Sequence, residues 1–175
     1  IMEGYGTTET SPVVSLNCAG FNKPGSIGKP LDNVQVRILN LNTGEVLPPG
    51  EEGRLVVKGD NVMKGYFDDI EETTRRIQNG WYDTGDMGML DEDGFLWHRG
   101  RLKRFVKIGG EMVSLVKVES EMIDLLPDTI DCCVVEVPDS IKGAKIIVAV
   151  TGEVDEKEIT KKLQTRLPSI AIPKQ

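Results

Sequence analysis

In Gly4-Tyr-Gly-Thr-Thr-Glu9, glycines flank an aromatic ring. They let the backbone turn sharply and approach a ligand closely. Two threonine hydroxyls can donate to phosphate oxygens, and the carboxylate that follows can hold a hard cation such as Mg²⁺. A Thr-Thr-Glu run equally suits the start of a helix. The second stretch is Gly80-Trp-Tyr-Asp-Thr-Gly-Asp86. A carboxylate just after a glycine suits paired hydrogen bonds to a ribose diol; a loop with an Asx-type turn at Asp86 fits the same residues. The third stretch runs Gly100-Arg-Leu-Lys-Arg-Phe-Val-Lys-Ile-Gly-Gly-Glu-Met-Val113. Arg101 offers a planar fork of donors for hydroxyls or phosphate, and two glycines let the backbone pass close to a narrow ligand.

Other nucleophilic or metal chemistry finds little support. Ser11, Ser15, Ser26 and Ser114 have no histidine in their motifs. His98, the only histidine, ends a strand pattern beside Arg99 and reads as structural. Cys132 and Cys133 lie in an apolar run and read as core or near-core, since metal-ligand spacing is absent.

The elements that hold these stretches fall into two patterns. Residues 20–110 are dense in Gly and Pro, with short alternating runs between them. Val34–Leu39, Gly53–Lys58 and Gly94–His98 read as strands of a small barrel or sandwich. Asp69–Gln78 reads as one short helix, stopped by Asn79-Gly80. Beyond residue 104 the reading is β-β-α-β-β-α. Phe105–Ile108 and Met112–Ser114 form a hairpin around Gly109-Gly110. Val116–Leu126 and Asp155–Leu167 are amphipathic helices, and Cys132–Val137 and Lys145–Thr151 are strands split by a turn at Pro138-Asp-Ser.

The 175 residues carry 21 basic and 28 acidic side chains, a net charge of −7. That balance argues against a nucleic-acid surface, which needs clustered cations. No run is long and apolar enough to span a membrane. Three cysteines, two of them adjacent, make a disulfide framework implausible and favour a reducing, cytoplasmic compartment. Residues 1–98 hold 8 basic and 16 acidic residues, and residues 99–175 hold 13 and 12. The change falls on Arg99–Lys107, with five cations and no acid. This reads as a solvated strand at a domain junction or as a boundary that faces an anion.

In this order and spacing the stretches resemble the late motifs of the adenylate-forming superfamily: acyl-CoA and acyl-carrier-protein synthetases, peptide-synthetase adenylation domains and luciferases. Tyr-Gly-x-Thr-Glu matches Tyr5–Glu9. Gly-Glu-Leu…Gly…Gly-Tyr matches Gly53–Tyr66, with Arg54 where a Glu is usual. Tyr-x-Thr-Gly-Asp matches Tyr82–Asp86, and Gly-Arg-x-x-x-x-x-Lys-x-x-Gly matches Gly100–Gly110. The run Lys103–Ser114 more narrowly resembles the acyl-carrier-protein synthetase part of bifunctional 2-acylglycerophosphoethanolamine acyltransferase/synthetases.

The resemblance implies an α+β fold in two parts. Residues 1–102 would be the nucleotide loop and distorted β-barrel end of a large domain. Residues 103–175 would be a small mobile α+β domain with a three-stranded sheet, a hairpin and helices. It implies a fatty acid ligase that forms an acyl-adenylate from ATP and passes the acyl group to the thiol of CoA or of acyl-carrier-protein phosphopantetheine. Tyr5 would stack on adenine, Thr8 bind the α-phosphate and Glu9 hold Mg²⁺. Asp86 would bind both ribose hydroxyls, and Arg101 would add a hydrogen bond. Lys103 would be the hinge, and Lys107, Gly109 and Gly110 would line the thiol arm's path. Catalysis of this kind is positioning plus stabilisation of phosphate charge, so it needs no activated nucleophile.

Two family features have no match here: a Gly/Ser/Thr-rich phosphate loop ahead of the Tyr5 stretch, and a late catalytic lysine whose position Lys174 does not occupy. The expectation is a piece of a synthetase, inactive alone, whose parent lies in the cytoplasm or at the inner face of its membrane. The alternatives are an amino-acid-activating adenylation domain and a catalytically inactive binding module docking an acidic carrier protein on residues 99–107.

Overall fold

A computed structural model describes residues 2–174. The chain divides after Leu102 into two compact units.

In the first unit, β1 (Gly4–Tyr5), β2 (Ser15–Leu16) and β3 (Lys29–Pro30) form a small antiparallel sheet in that order. The main sheet holds β4 (Val34–Leu39), β5 (Gly53–Gly59), β6 (Ile77–Gln78), β7 (Trp81–Leu90) and β8 (Leu96–Arg101). Its order is β4-β5-β7-β6, with β8 also on β7. Alternation sends Val34 and Ile38, Leu55 and Val57, and Tyr82, Thr84 and Asp86 to the buried side. Val14, Val34 and Val57 make one apolar cluster; Ile38, Leu55 and Leu96 make another, and Tyr5 packs against both. The expected barrel does not close. One edge of β7 is shared between two-residue β6 and β8, so the sheet branches there.

β7 corrects the reading of residues 80–86 as a loop. Its glycines look like turn signals, yet ten residues are extended. Between the pairs Arg54↔Met87 and Val56↔Asp83, three β7 residues (84–86) oppose the single residue Leu55. Gly85, at φ +74°, takes the backbone conformation that this bulge requires. The Asx-type contact belongs to Asp83, whose Oδ1 accepts from the Gly85 amide at 3.0 Å, and not to Asp86.

The helix α1 (Ile70–Arg76) is capped by Asp69, which accepts from the Glu72 amide at 2.8 Å. It stops two residues short of the expected end because Ile77 and Gln78 pair with β7. At the β7–β8 turn, Asp91 accepts four bonds: the Asp93 and Phe95 amides on Oδ1, and Trp97 Nε1 and Lys23 Nζ on Oδ2, at 2.6–3.0 Å. Burial by itself would raise the Asp91 pKa; the bonds from Lys23, Trp97 and the Phe95 amide outweigh it and hold the carboxyl at about 2. A depressed carboxylate stabilises the fold above its unfolded value, here 3.8, and that contribution disappears as pH falls toward 2. Asp91→Asn should therefore cost about 1–2 kcal/mol at pH 7 and nothing near pH 2. Denaturant melts across that range check this; a pH-independent difference would contradict it.

In the second unit, β9 (Phe105–Ile108) and β10 (Glu111–Ser114) pair around Gly109 and Gly110, at φ +57° and +96°. A two-residue hairpin turn needs those positive values. The helix α2 (Leu115–Ile123) starts from Ser114, whose hydroxyl accepts from the Lys117 amide at 3.2 Å. β11 (Cys132–Asp139) and β12 (Gly143–Val150) pair along their whole length, so the turn falls after Asp139 and not at Pro138. The helix α3 (Glu156–Leu163) is capped by Asp155. Leu115, Val118 and Met122 of α2 pack with Val134, Ile146 and Leu163. Among the described residues this unit has two two-stranded sheets where the sequence suggested one of three strands and a hairpin. Cys132 packs against the core, while Cys133 is exposed, as strand alternation requires. No described helix is long and apolar enough to cross a membrane.

Candidate nucleotide site

Asp86 is the centre of the first unit's polar cluster. Only 1% of it is exposed. The β7 bulge aims its carboxylate: the Thr84 hydroxyl donates to the Leu55 carbonyl at 2.9 Å and accepts from the Asp86 amide at 3.1 Å. The Tyr5 hydroxyl donates to Asp86 Oδ2 at 2.5 Å. Burial and this neighbouring carboxylate push the Tyr5 phenol far above its ordinary range, so it stays a donor at any physiological pH. On the other oxygen, Arg101 Nε lies 3.1 Å and His98 Nε2 3.7 Å from Oδ1. Neither makes an aligned hydrogen bond, and Oδ1 is buried without one. A buried anionic acceptor left open costs stability unless a ligand or water fills it.

The structure thus brings together Tyr5, Asp86 and Arg101, and it adds His98. The His98 ring stacks on Tyr5 with centroids 5.7 Å apart and planes 30° apart. The sequence reading of His98 as structural is compatible with this stacking, though it does not foresee the neighbour. Strict alternation puts residues 98 and 101 on opposite faces of β8. A register shift defeats it: Met87 pairs with Gly100 and Gly88 with His98, leaving Arg99 as an extra residue. No local sequence signal announces such a bulge.

Glu9 makes a second centre. It sits on a short 3-10 turn, Thr8–Thr10, held by a capping box between Thr7 and Thr10. The Tyr66 hydroxyl donates to Glu9 Oε1 at 3.0 Å. Burial alone would raise the Glu9 pKa; bonds from its own backbone and from Tyr66, Thr7 and Tyr82 outweigh that and keep the carboxyl ionised below its ordinary value. Tyr66 and Tyr82 are motif residues whose part in this centre sequence reasoning missed. Thr8 is exposed beside them. Among the described residues no three or more His, Cys, Asp or Glu side chains converge as a metal cluster. Magnesium seldom needs one: a carboxylate or two plus substrate phosphates suffices.

The cations of residues 99–107 are largely engaged within their own units. Arg99 pairs with Glu52 at 2.8 Å, Arg101 with Asp86, and Arg104 with Glu119 at 2.7 Å. Arg104 also donates to the Val134 carbonyl, tying α2 to β11. Lys103 opens the second unit, within a 3-10 turn over Leu102–Arg104, and is exposed. Lys107, Gly109 and Gly110 lie on the β9–β10 hairpin, and the Gly109 amide donates to the Lys142 carbonyl at 3.0 Å.

A family described as AMP-binding enzyme matches residues 1–67, and AMP-binding enzyme C-terminal domain matches residues 117–175. Together they cover well over half of the chain. A long-chain-fatty-acid–CoA ligase of Bacillus subtilis is 38% identical over 99% of this chain and 32% of its own length. Of solved structures, ATP-bound MatB from Rhodopseudomonas palustris has a TM-score of 0.86 at 34% identity, over 99% of this chain and 35% of that one. The o-succinylbenzoate CoA synthetase of B. subtilis, in complex with its acyl-adenylate intermediate, has a TM-score of 0.87 at 33% identity, over 99% and 36%. The chain spans about a third of the length of these relatives. The fold is that of adenylate-forming enzyme domains. The chain belongs to the AMP-binding enzyme superfamily.

Proposed function

We propose that the chain supplies the ribose-holding and magnesium-holding side of an ATP-dependent acid–thiol ligase. In that reaction a carboxylate oxygen attacks the α-phosphorus of ATP and pyrophosphate leaves. A thiol then attacks the acyl carbon, the thioester forms and AMP leaves with the electron pair. The observation that carries this reading is the buried Asp86 carboxylate, with the Tyr5 hydroxyl on Oδ2 and Arg101 Nε 3.1 Å from an Oδ1 that accepts no hydrogen bond. The ribose hydroxyls would donate to Asp86, and Arg101 would donate to the ribose. Tyr5 would present its ring to adenine, and the Thr8 hydroxyl would donate to the α-phosphate. The ionised Glu9 carboxylate fits Mg²⁺, which when bound neutralises phosphate charge. Lys103, at the boundary of the units, would be the hinge, where few residues need absorb a backbone change. Lys107, Gly109 and Gly110 would line the path of the thiol arm.

For the acid we favour a fatty acid, as in the long-chain-fatty-acid–CoA ligase relative, and for the acceptor CoA. A carrier-protein acceptor rests on the run Lys103–Ser114 and needs free cations along 99–107, where three of five are paired within their units. ATP–pyrophosphate exchange tests the reading. The polypeptide that natively carries residues 1–175 should exchange with fatty acids and not with amino acids. The 175-residue chain alone should form no acyl-AMP. Exchange only with amino acids would move the assignment to peptide synthesis, and exchange with no acid would favour an inactive binding module.

A further inference from the structure

The outer face of the main sheet in the first unit carries a basic groove that the proposed ligase reaction does not use. Its floor is the solvent side of β4, β5 and β7, and its wall is the last turn of α1. Arg37, Arg54, Arg75, Arg76, Trp81 and Asp83 line a space of about 250 Å³. Four guanidiniums thus meet one carboxylate, in a chain whose net charge is −7. Surface arginines are usually paired and solvated, and two of these are so: Arg75 and Arg76 share the single carboxylate of Glu72. The other two differ. Arg37, an exposed residue, lies over the Trp81 ring at 4.2 Å. Arg54 reaches Asp83 only at 3.4 Å, and its Nε is buried without a hydrogen-bond partner.

We infer that this groove binds the di- or triphosphate group of a small molecule. Guanidinium forks match phosphate oxygens two at a time. The space is smaller than the roughly 300–1,000 Å³ typical of drug-sized ligands, which suits a phosphate chain. Such a ligand offsets the surplus charge of the arginines that line the groove. A narrow concave groove also fits it better than the flat surface an acidic protein needs. The inference stands apart from the Asp86 site and does not depend on it.

The test titrates the 175-residue chain with pyrophosphate and tripolyphosphate, following the Arg54 Nε–H and Trp81 indole resonances by NMR. Saturable shifts are expected, with a Kd below about 1 mM. Arg54→Glu should weaken binding about tenfold to a hundredfold. Arg75→Gln, at an exposed position that the fold does not need, should weaken it severalfold and stands in if the first variant does not fold. Asp86→Asn should leave these shifts unchanged. In that background ATP separates the two sources of the group: tighter binding than tripolyphosphate assigns a nucleotide, equal binding a free polyphosphate, and both sustain the site. The inference is overturned by no saturation, by equal shifts with sodium chloride at matched ionic strength, or by a polyglutamate peptide saturating the same resonances at lower concentration.

Discussion

Replacing Asp86 with Asn is expected to lower the affinity for ATP roughly a hundredfold. Hydrogen bonds to a charged group contribute about 1.5–3 kcal/mol each, and two ribose hydroxyls would lose a carboxylate acceptor together. The variant keeps the size of the side chain, and Arg101, 64% exposed at its side chain, returns to solvent without strain. Stability should therefore fall far less than affinity. His98→Ala, which removes a ring stacked on Tyr5 and a nitrogen 3.7 Å from Asp86 Oδ1, should cost severalfold at most. Amide NMR shifts of Asp86–Leu90 and Leu96–Arg101 during ATP titration measure both, clear of Trp81 and Asp83 in the outer groove. Unchanged affinity in Asp86→Asn, or no ATP-dependent shift near Asp86 in the native chain, would remove the nucleotide reading of this site.

Gly6→Ala should be one of the two most damaging conservative changes in the first unit, with Gly28→Ala, whose Cβ would meet the Leu16 and Asn17 backbone at 1.8–2.3 Å. A Cβ at residue 6 would stand 1.5 Å from the Pro12 carbonyl oxygen and 2.6 Å from its carbon. Both are backbone atoms, so no side chain can rotate away. The loop cannot open, because the Val14 amide donates to the Tyr5 carbonyl at 2.9 Å and Thr10 is bonded back to Thr7 and Pro12. The expected loss is about 3 kcal/mol or more, beyond ordinary overpacking. Both tryptophans, Trp81 and Trp97, lie in the first unit, so denaturant melts followed by their fluorescence report on it alone. A loss under about 1 kcal/mol would show that the loop accommodates the methyl. The residue read in sequence as giving a ligand close access thus has a second task, letting the loop pack on itself beside Tyr5 and Glu9.

What the sequence decided was whatever local chemistry decides. Alternation placed β4 at its observed ends, because Val34 and Ile38 must face one side. Gly109-Gly110 fixed a hairpin, since few other residues adopt two positive φ values in succession. The ordered motifs named the superfamily, and the helices read from Asp69 and Asp155 begin there, whereas Ser114, the cap of α2, reads in sequence as the end of a strand. What only the tertiary structure decided was where strands slip against each other. The bulge at residues 84–86 and the shift between Met87 and Gly88 arise from pairing with β5 and β8, which are remote in sequence. Residues 81–86, for which a loop is one reading of the sequence, lie in the strand β7, and the two slips displace its register. These slips aim Asp86 inward and bring His98 to the same carboxylate as Arg101. The pairing of Arg99 and Arg104 with Glu52 and Glu119 is equally long-range, and it converts an apparent basic stretch into structural ion pairs. Propensity and period act over a few residues, whereas register is settled by the packing of distant strands; the chemistry of the site depends on register.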